Sequence, residues 1–178
     1  MYPLSRIYDC IAFLGDAKVF STLDCNSRCW QIPVADQDRE KTAFVCHEGG
    51  YRYIRLPFGL SIAPATFQLA IDMNLGGLKW KGCLMYLDDI IIFWQSEGEH
   101  VEHLRGVFAA LRGAGVSLKA KQRHLFQEKV EYLGIILGRG QMKVLYKNVR
   151  GLKEACSRRC KKDLRSFLGM CNVYRRFF

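Results

Sequence analysis

The chain has 178 residues, nearly half of them hydrophobic, which suffices for one domain with a buried core but includes no apolar run near the roughly 18 residues that span a membrane. It has no signal-peptide pattern and no Cys-x-x-Cys pair, so we expect its eight cysteines to be reduced thiols in a non-secreted, intracellular protein without a zinc ribbon or a membrane partner. The net charge of +10 lies entirely in residues 139–178, which carry 12 Lys/Arg against 2 Asp/Glu, and this indicates either a nucleic-acid partner or a solvated basic tail.

The first predicted elements are a helix and a strand. Apolar residues at helical spacing in residues 4–14 predict the helix, with Ser5 as its cap and Gly15 as its stop. Residues 19–23 predict a short strand that ends at Asp24. A lone aspartate in such a place is usually a cap or turn residue. We therefore assign Asp24 a functional role only if its strand lies beside a second acidic element.

The middle of the chain predicts a hairpin and a helix. Two β-rich runs, residues 42–46 and 51–56, flank a Gly-Gly pair that suits a hairpin turn. Pro57 and Gly59 predict a second turn, and Pro64 suits the first turn of a helix that runs to about residue 73. Backbone N–H groups at such a helix start can face phosphate or a template base, although many turns enter helices in this way.

Two adjacent carboxylates, Asp88 and Asp89, lie between apolar runs at residues 83–87 and 90–93. Both runs are rich in large or β-branched side chains, so we predict two buried strands with the carboxylates at the tip of their hairpin. A polar turn is one interpretation, although the Gly, Asn or Pro typical of turns is absent. A divalent-metal site is the other, because carboxylate oxygens suit Mg²⁺. These residues alone leave both open.

The last predicted elements are helices around one strand. A helix ends at Gly113 or Gly115, a strand covers residues 130–137 with a turn at 138–140, and helices cover 147–155 and 161–178. The final helix has one apolar face, predicted to pack on the core: Leu164, Phe167, Leu168, Cys171 and Tyr174. This order predicts an α+β fold with helices packed on one face of an antiparallel sheet. Two metal ions held at one sheet edge would lower the barrier to phosphoryl transfer.

Six ordered motifs resemble the reverse transcriptase of LTR retrotransposons, and most closely the gypsy class. They are Tyr2-Pro3-Leu4-Ser5-Arg6-Ile7, Phe20-Ser21-Thr22-Leu23-Asp24, Lys41-Thr42-Ala43-Phe44 with the block at 56–68, Tyr86-Leu87-Asp88-Asp89, Val130-Glu131-Tyr132-Leu133-Gly134 and Leu164-Arg165-Ser166-Phe167-Leu168-Gly169. The resemblance implies a polymerase palm with partial fingers in residues 1–138 and the start of the thumb in residues 139–178. It implies an RNA-directed DNA polymerase that transfers dNTPs onto a primer 3′-hydroxyl.

The resemblance also implies roles for individual residues. Asp24, Asp88 and Asp89 would be catalytic and would bind two Mg²⁺ ions, or Mn²⁺ as a substitute, with a backbone carbonyl from Cys25. The nucleotide pocket would comprise Ser27, Arg28, Cys29, Phe58 and Gly59. The primer grip would comprise Tyr132, Leu133 and Gly134. Implied partners are an RNA or DNA template with its primer and the RNase H and integrase parts of a Pol polyprotein, and the implied location is a cytoplasmic retrotransposon particle.

Several positions depart from the family pattern. Cys29 stands where an aromatic ring normally lies under the incoming sugar and excludes a 2′-hydroxyl, and a cysteine is too small for that role. Trp30 beside it would point elsewhere on an extended backbone. Arg28 replaces a glycine where the backbone bends close to phosphates, so it either clashes or adds a cation. Gln122 and Arg123 replace a Lys-Cys pair whose lysine is a candidate proton donor, with Lys121 adjacent.

The metal ligands are thus intact while supporting positions have changed, including Cys156, Arg158 and Val173. The pattern indicates a degenerate genomic copy or a fragment of a larger polyprotein, with weak or no activity by itself. The alternative to an active polymerase is therefore a catalytically dead remnant of the palm fold that only binds nucleic acid. The combined motifs argue against a palm polymerase of another kind.

Overall fold

The structure is a computed structural model that describes residues 7–138, 141–145 and 160–174. The helices in these ranges are α1 (Ile7–Phe13), α2 (Ala63–Leu75), α3 (Glu97–Gly113) and α4 (Lys161–Tyr174). The strands are β1 (Val19–Asp24), β2 (Phe44–Cys46), β3 (Gly49–Tyr51), β4 (Cys83–Tyr86), β5 (Asp89–Trp94), β6 (His124–Gln127), β7 (Lys129–Tyr132), β8 (Ile135–Gly138) and β9 (Gln141–Val144). Three short 3₁₀ helices cover Arg28–Gln31, Asp36–Thr42 and Gly76–Leu78.

The central sheet has four antiparallel strands in the order β4-β5-β1-β6. Strands β4 and β5 form a hairpin, and β1 lies on the far side of β5 although it comes first in the chain. Ile90, Ile91 and Ile92 of β5 are fully buried, because this strand has a neighbour on each side and protein on both faces. The sheet therefore brings the end of β1 against the tip of the β4–β5 hairpin.

The two faces of this sheet carry different layers. Strand side chains alternate between faces, so Leu23, Met85 and Ile90 pack in one cluster with the apolar sides of α2 and α3. Phe20 and Ile91 point the other way, into a cluster with α1, β7 and β8. The α+β class with an antiparallel sheet is confirmed. The structure adds α1 to the second face, whereas the sequence interpretation had all helices on one face.

A second sheet, β7-β8-β9, corrects the strand predicted over residues 130–137. The prediction of one continuous strand is wrong, because Leu133 and Gly134 form a two-residue turn between paired Tyr132 and Ile135. Both turn residues have positive φ, 50° and 79°, as a tight hairpin turn requires. The predicted turn at residues 138–140 includes two positions outside the described residues, and β9 after it was not predicted.

The β2–β3 hairpin also differs from its prediction. Cys46 pairs with Gly49, so the turn lies at residues 47–48, and Gly49 and Gly50 belong to a strand. Residues 52–56 form no regular strand; Val34 N–H instead donates to the Ile54 carbonyl at 3.0 Å. All six strand residues are exposed, so their side chains carry no inside–outside alternation from which the register could be read.

The helix predictions agree with the structure wherever it describes them. Helix α2 begins one residue before Pro64, and α3 ends at Gly113. The Ser5 cap and the helix at 147–155 lie outside the described residues. Helix α4 is confirmed, but Leu164 and Leu168 are 47% and 55% exposed, so the prediction that their face packs on the core is wrong for these two residues. Within the described ranges, no helix combines the length and apolar character that crossing a membrane requires.

Candidate active site

Asp24 and Asp89 are directly opposite partners at the end of β1 and the start of β5. Opposite residues in an antiparallel pair point to the same sheet face with Cβ atoms about 5 Å apart. The pairing follows from the apolar register further along, where Leu23 faces Ile90 and Thr22 faces Ile91. The buried pattern of the two strands therefore fixes which carboxylates meet at the sheet edge.

Asp88 lies in the two-residue turn of the β4–β5 hairpin, between paired Tyr86 and Asp89. Leu87, the other turn residue, has a φ of 59°, which L-residues other than glycine seldom adopt. The Asp88 carbonyl accepts a 3.2 Å hydrogen bond from the Cys25 N–H, and this ties the turn to the residue after β1. The structure thus brings all three predicted catalytic carboxylates to one edge of the sheet.

Two basic side chains form ion pairs with two of these carboxylates. Arg28 donates to Asp88 Oδ1 at 2.7 Å, and Lys119 donates to Asp24 Oδ2 at 3.1 Å. The second oxygen of Asp24, Oδ1, is buried and has no hydrogen-bond partner. A buried carboxylate oxygen without a partner is costly, because it has lost water and gained nothing in exchange.

Burial and neighbouring negative charges both raise pKa values at the site. Desolvation, followed by the negative charges of Asp88 and Asp24, raises the pKa of Asp89 above its ordinary value. Burial, together with the same three carboxylates, raises the pKa of the Cys25 thiol to about 12. The thiol therefore stays protonated at neutral pH and packs into the core, so any metal contact from Cys25 falls to its backbone.

The residues fit a divalent cation by their chemistry. The three carboxylates supply the hard oxygen ligands that such a cation prefers. Among them, Asp24 Oδ1 has no hydrogen-bond partner and could coordinate an ion without losing one. In the arrangement described, however, no group of three or more His, Cys, Asp or Glu side chains within residues 7–138, 141–145 and 160–174 is spaced to hold a metal. Arg28 and Lys119 each occupy one of the oxygens that such an ion would use.

An open cavity of about 590 Å³ is lined by Asp24 and Asp89 and by the β7–β8 turn. The predicted primer-grip residues Tyr132, Leu133 and Gly134 all line this cavity. The Tyr132 side chain is buried, and its hydroxyl has no partner, so a primer contact here would fall to backbone and to the partly exposed turn. Gln122 also lines the cavity, at the position where the family pattern has lysine.

Three of the predicted nucleotide-pocket residues, Ser27, Arg28 and Cys29, lie at the start of the 3₁₀ helix Arg28–Gln31. Ser27 precedes it in the left-handed conformation, with a φ of 47°. Cys29 is buried in a separate apolar cluster with Val34, Leu56 and Ala63 and has no open face. Their nucleotide-binding roles stay predictions.

Phe58 and Gly59 are exposed, and the Phe58 ring contacts the ring of Trp30 in this helix, with 6.2 Å between the ring centroids. The expectation of an extended backbone at Trp30 is wrong, because residues 28–31 form a helical turn.

Sequence reasoning missed two residues of the site. Lys119 lies in a loop far from Asp24 in sequence, and a single lysine in a loop gives no signal of its partner. Gln68 is 2% exposed on α2 and accepts a hydrogen bond from the Leu87 N–H at 2.7 Å. Its signal was present, since a glutamine between the apolar residues Phe67 and Ile71 of a buried helix face needs polar partners in the core.

An antiparallel sheet with three carboxylates at one edge, two of which line an open cavity, is the arrangement that the resemblance to a polymerase palm predicts. Residues 3–137 match the family model described as reverse transcriptase (RNA-dependent DNA polymerase). Over 176 residues the chain is 40% identical to the Retrovirus-related Pol polyprotein from transposon gypsy of Drosophila melanogaster. The matched region covers 99% of this chain and 17% of the polyprotein.

Solved structures agree with this match. A foamy viral protease-reverse transcriptase in complex with double-stranded DNA superposes with a TM-score of 0.81 and 26% identity, over 97% of this chain and 31% of that one. A foamy viral protease-reverse transcriptase in complex with an RNA/DNA hybrid gives a TM-score of 0.75 and 27% identity, over 93% of this chain and 23% of that one. This chain belongs to the reverse transcriptase family, and the predicted resemblance to the gypsy class is confirmed.

Proposed function

We propose that this chain is the palm of an RNA-directed DNA polymerase that joins dNTPs to a primer 3′-hydroxyl on an RNA or DNA template. The observation that carries the proposal is the pairing of Asp24 with Asp89, beside the Asp88 turn, on a cavity that also reaches Tyr132, Leu133 and Gly134. The chain spans about a sixth of the gypsy polyprotein, so activity, substrates and partners of the whole protein are part of the proposal.

Members of this family use divalent metal ions, and we propose Mg²⁺, with Mn²⁺ as a substitute. Asp24, Asp88 and Asp89 would hold two ions, with the backbone carbonyl of Cys25. When bound, such ions activate an attacking hydroxyl and stabilise the charge on departing pyrophosphate. The chain's own contribution is orientation, since the β1–β5 register aligns two carboxylates and the Cys25 N–H ties the third to them.

The partners follow from the cavity and from the charge. The primer end would lie between the carboxylates and the β7–β8 turn, with the nucleotide on the side of Ser27, Arg28, Cys29, Phe58 and Gly59. The basic residues 139–178 would begin the thumb and follow the phosphates of the duplex. RNase H and integrase segments of a Pol polyprotein, and a cytoplasmic retrotransposon particle, complete the proposal.

Primer extension on an RNA template with Mg²⁺ tests this function. Asp88→Asn keeps the shape of the side chain but removes its charge, so extension should be lost. Asp36→Asn is the matched control, because Asp36 is an exposed aspartate outside the site that forms an ion pair with Arg39. Extension that survives Asp88→Asn would contradict the proposal, as would extension lost equally in both variants.

A second candidate, the palm remnant that only binds nucleic acid, is favoured by the pairing of Arg28 with Asp88 and of Lys119 with Asp24. These cations compete for the oxygens that a metal ion needs. The variant Arg28→Gly, which restores the glycine of the family pattern, distinguishes the two candidate functions. Extension gained in this variant would support a polymerase with local decay, whereas primer–template binding without extension in both proteins would support the remnant.

A further inference from the structure

The turn that carries Asp88 rests on a backbone conformation that its own sequence does not favour. Tyr86 pairs with Asp89, so only Leu87 and Asp88 connect β4 to β5. Leu87 has a φ of 59°, a left-handed conformation in which the Cβ of an L-residue crowds the backbone. Glycine would adopt it without strain, but here a contact from outside the turn must hold it.

Gln68 provides that contact from α2. Its Oε1 accepts the Leu87 N–H at 2.7 Å, and its Nε2 donates to the Met85 carbonyl at 3.3 Å. One side-chain amide therefore bonds the backbone of β4 before the turn and the strained residue within it. Gln68 is 2% exposed, so water does not compete for these bonds.

The orientation of this amide is itself fixed. Nε2 also donates to Asp72 Oδ1 at 2.9 Å, and an ionised carboxylate can only accept. The Asp72 side chain is 6% exposed, and its other oxygen, Oδ2, forms an ion pair with Lys79. The NH₂ group of Gln68 must therefore face Asp72, and this leaves Oε1 for Leu87.

We propose that Gln68 is a positioning residue for the catalytic carboxylates: it holds Leu87 in the left-handed conformation, with Asp72 and Lys79 setting the amide, and so keeps Asp88 and Asp89 at the end of β1. The proposal rests on the proposed function for its catalytic meaning. The holding of the turn is a separate physical claim that can be measured without activity.

Gln68→Met tests the claim, because methionine has nearly the same shape but makes none of the three hydrogen bonds. Amide hydrogen exchange at Leu87, followed by NMR, should be slow in the wild type and roughly tenfold faster or more in the variant. Gln95→Met is the matched control, since Gln95 is exposed just after the other end of β5. A Leu87 amide that exchanges equally in wild type and Gln68→Met would overturn the proposal.

A double-mutant cycle separates positioning from general packing. Gln68→Met should weaken Mn²⁺ binding, measured by titration, by about tenfold, the usual scale for support around a metal ligand. In a Leu87→Gly background, where the turn needs no holding, the same change should cost less than about threefold. An equal loss in both backgrounds would mean that Gln68 acts through the core and not through Leu87.

Gln68→Glu keeps the protein testable if Gln68→Met fails to fold. The carboxylate keeps an acceptor for the Leu87 N–H but repels Asp72, so Leu87 should stay protected, and Mn²⁺ binding should fall by less than about tenfold from the wild-type affinity. Loss of Leu87 protection in this variant would contradict the assigned bonds. A wild-type chain that protects Leu87 yet neither binds Mn²⁺ nor extends a primer would count against the proposed function alone.

Discussion

At the scale of single residues, Arg28 acts directly on one of the three carboxylates of the site. Its guanidinium bonds Asp88 at 2.7 Å, with the two side chains 24% and 41% exposed. Solvent screens a pair this accessible, so it stabilises the fold by about 0.5 kcal/mol. Its effect on a divalent ion is larger, because the guanidinium both occupies a ligand oxygen and repels the incoming charge.

We therefore expect Arg28→Gln to raise Mn²⁺ affinity by roughly three- to tenfold with little change in thermal stability. Titration of the metal-free protein measures this directly. Arg52→Gln is the control, since Arg52 forms an exposed ion pair with Glu40 outside the site. Equal affinities for wild type and Arg28→Gln would mean that the ion displaces Arg28 without cost.

A second residue-scale prediction concerns His100, which is fully buried on α3 with its Nε2 2.7 Å from the Ser21 hydroxyl. Burial, with a smaller contribution from His103, lowers the pKa of His100. The unfolded chain therefore binds a proton more readily than the folded one. The free energy of unfolding is therefore highest above about pH 6.5, the ordinary pKa of histidine, where His100 is neutral in both states. It decreases as the pH falls from 6.5 through the lowered pKa of the folded protein.

Urea unfolding at pH 7.5 and pH 5.5 measures this loss. The free energy of unfolding should fall more between these values in the wild type than in His100→Gln, which cannot titrate. His47→Gln, at an exposed position, should keep the wild-type slope. Parallel pH profiles for wild type and His100→Gln would contradict the prediction.

At the scale of elements, strands and turns could be predicted where the local pattern of apolar and charged residues is clear. The β4–β5 hairpin was predicted because its flanks are apolar and its tip is charged. The prediction of one strand over residues 130–137 failed because the alternation of buried positions is interrupted. Val130 and Tyr132 are buried at a spacing of two, and the alternation then shifts by one residue to Ile135 and Leu137. That phase change, with Gly134 at its centre, was the available signal of a turn.

Other parts carried no such signal. Strand β6 has one partly buried residue and three exposed ones, so its pairing with β1 depends on the sheet and not on its own pattern. The meeting of Asp24 with Asp89 is likewise a property of the β1–β5 register. The family resemblance predicted that the three carboxylates act together, whereas the pairing of Lys119 with Asp24 and the hydrogen bond between Gln68 and the Leu87 N–H became visible only in three dimensions.

Gly134 gives an element-scale prediction, because its φ of 79° lies in the region that glycine tolerates and alanine does not. Gly134→Ala should lower the free energy of unfolding by about 1–2 kcal/mol. It should also weaken primer extension more than this loss explains, since the turn lines the same cavity as Asp24. Thermal unfolding and single-nucleotide incorporation measure the two effects.

Gly98→Ala is the matched control for this change. Gly98 lies within α3, and a Cβ there meets open space, so stability should hold or rise. If Gly134→Ala unfolds at the wild-type temperature, the left-handed turn is not required by the fold. If it loses stability but keeps its rate of incorporation, the β7–β8 turn has no part in holding the primer.

At the scale of the whole molecule, charge is divided along the chain. Residues 1–138 balance 15 basic against 15 acidic side chains, while residues 139–178 hold the entire excess of +10. Helix α4 lies in this basic part, with Lys161 and Arg165 exposed. In the proposed function, this division means that the basic residues 139–178 would supply affinity for nucleic acid and the neutral body would align its reactive end.

This division predicts how binding responds to salt. The logarithm of primer–template affinity should fall linearly with the logarithm of salt concentration, with a slope of roughly −0.9 for each phosphate neutralised. Replacing Lys161 and Arg165 by glutamine should reduce that slope by about 1 to 2 and weaken binding on every sequence alike. Fluorescence anisotropy across a salt series gives both the affinity and the slope.

The paired control is Lys81→Gln with Arg105→Gln, two exposed cations in the neutral body. Arg105 belongs to α3, which packs on the sheet face away from Asp24 and Asp89, so this pair should leave the slope unchanged. An equal fall in slope for both pairs would mean that duplex binding depends on net charge and not on residues 139–178. A slope unchanged in the α4 variant would remove that helix from the path of the duplex.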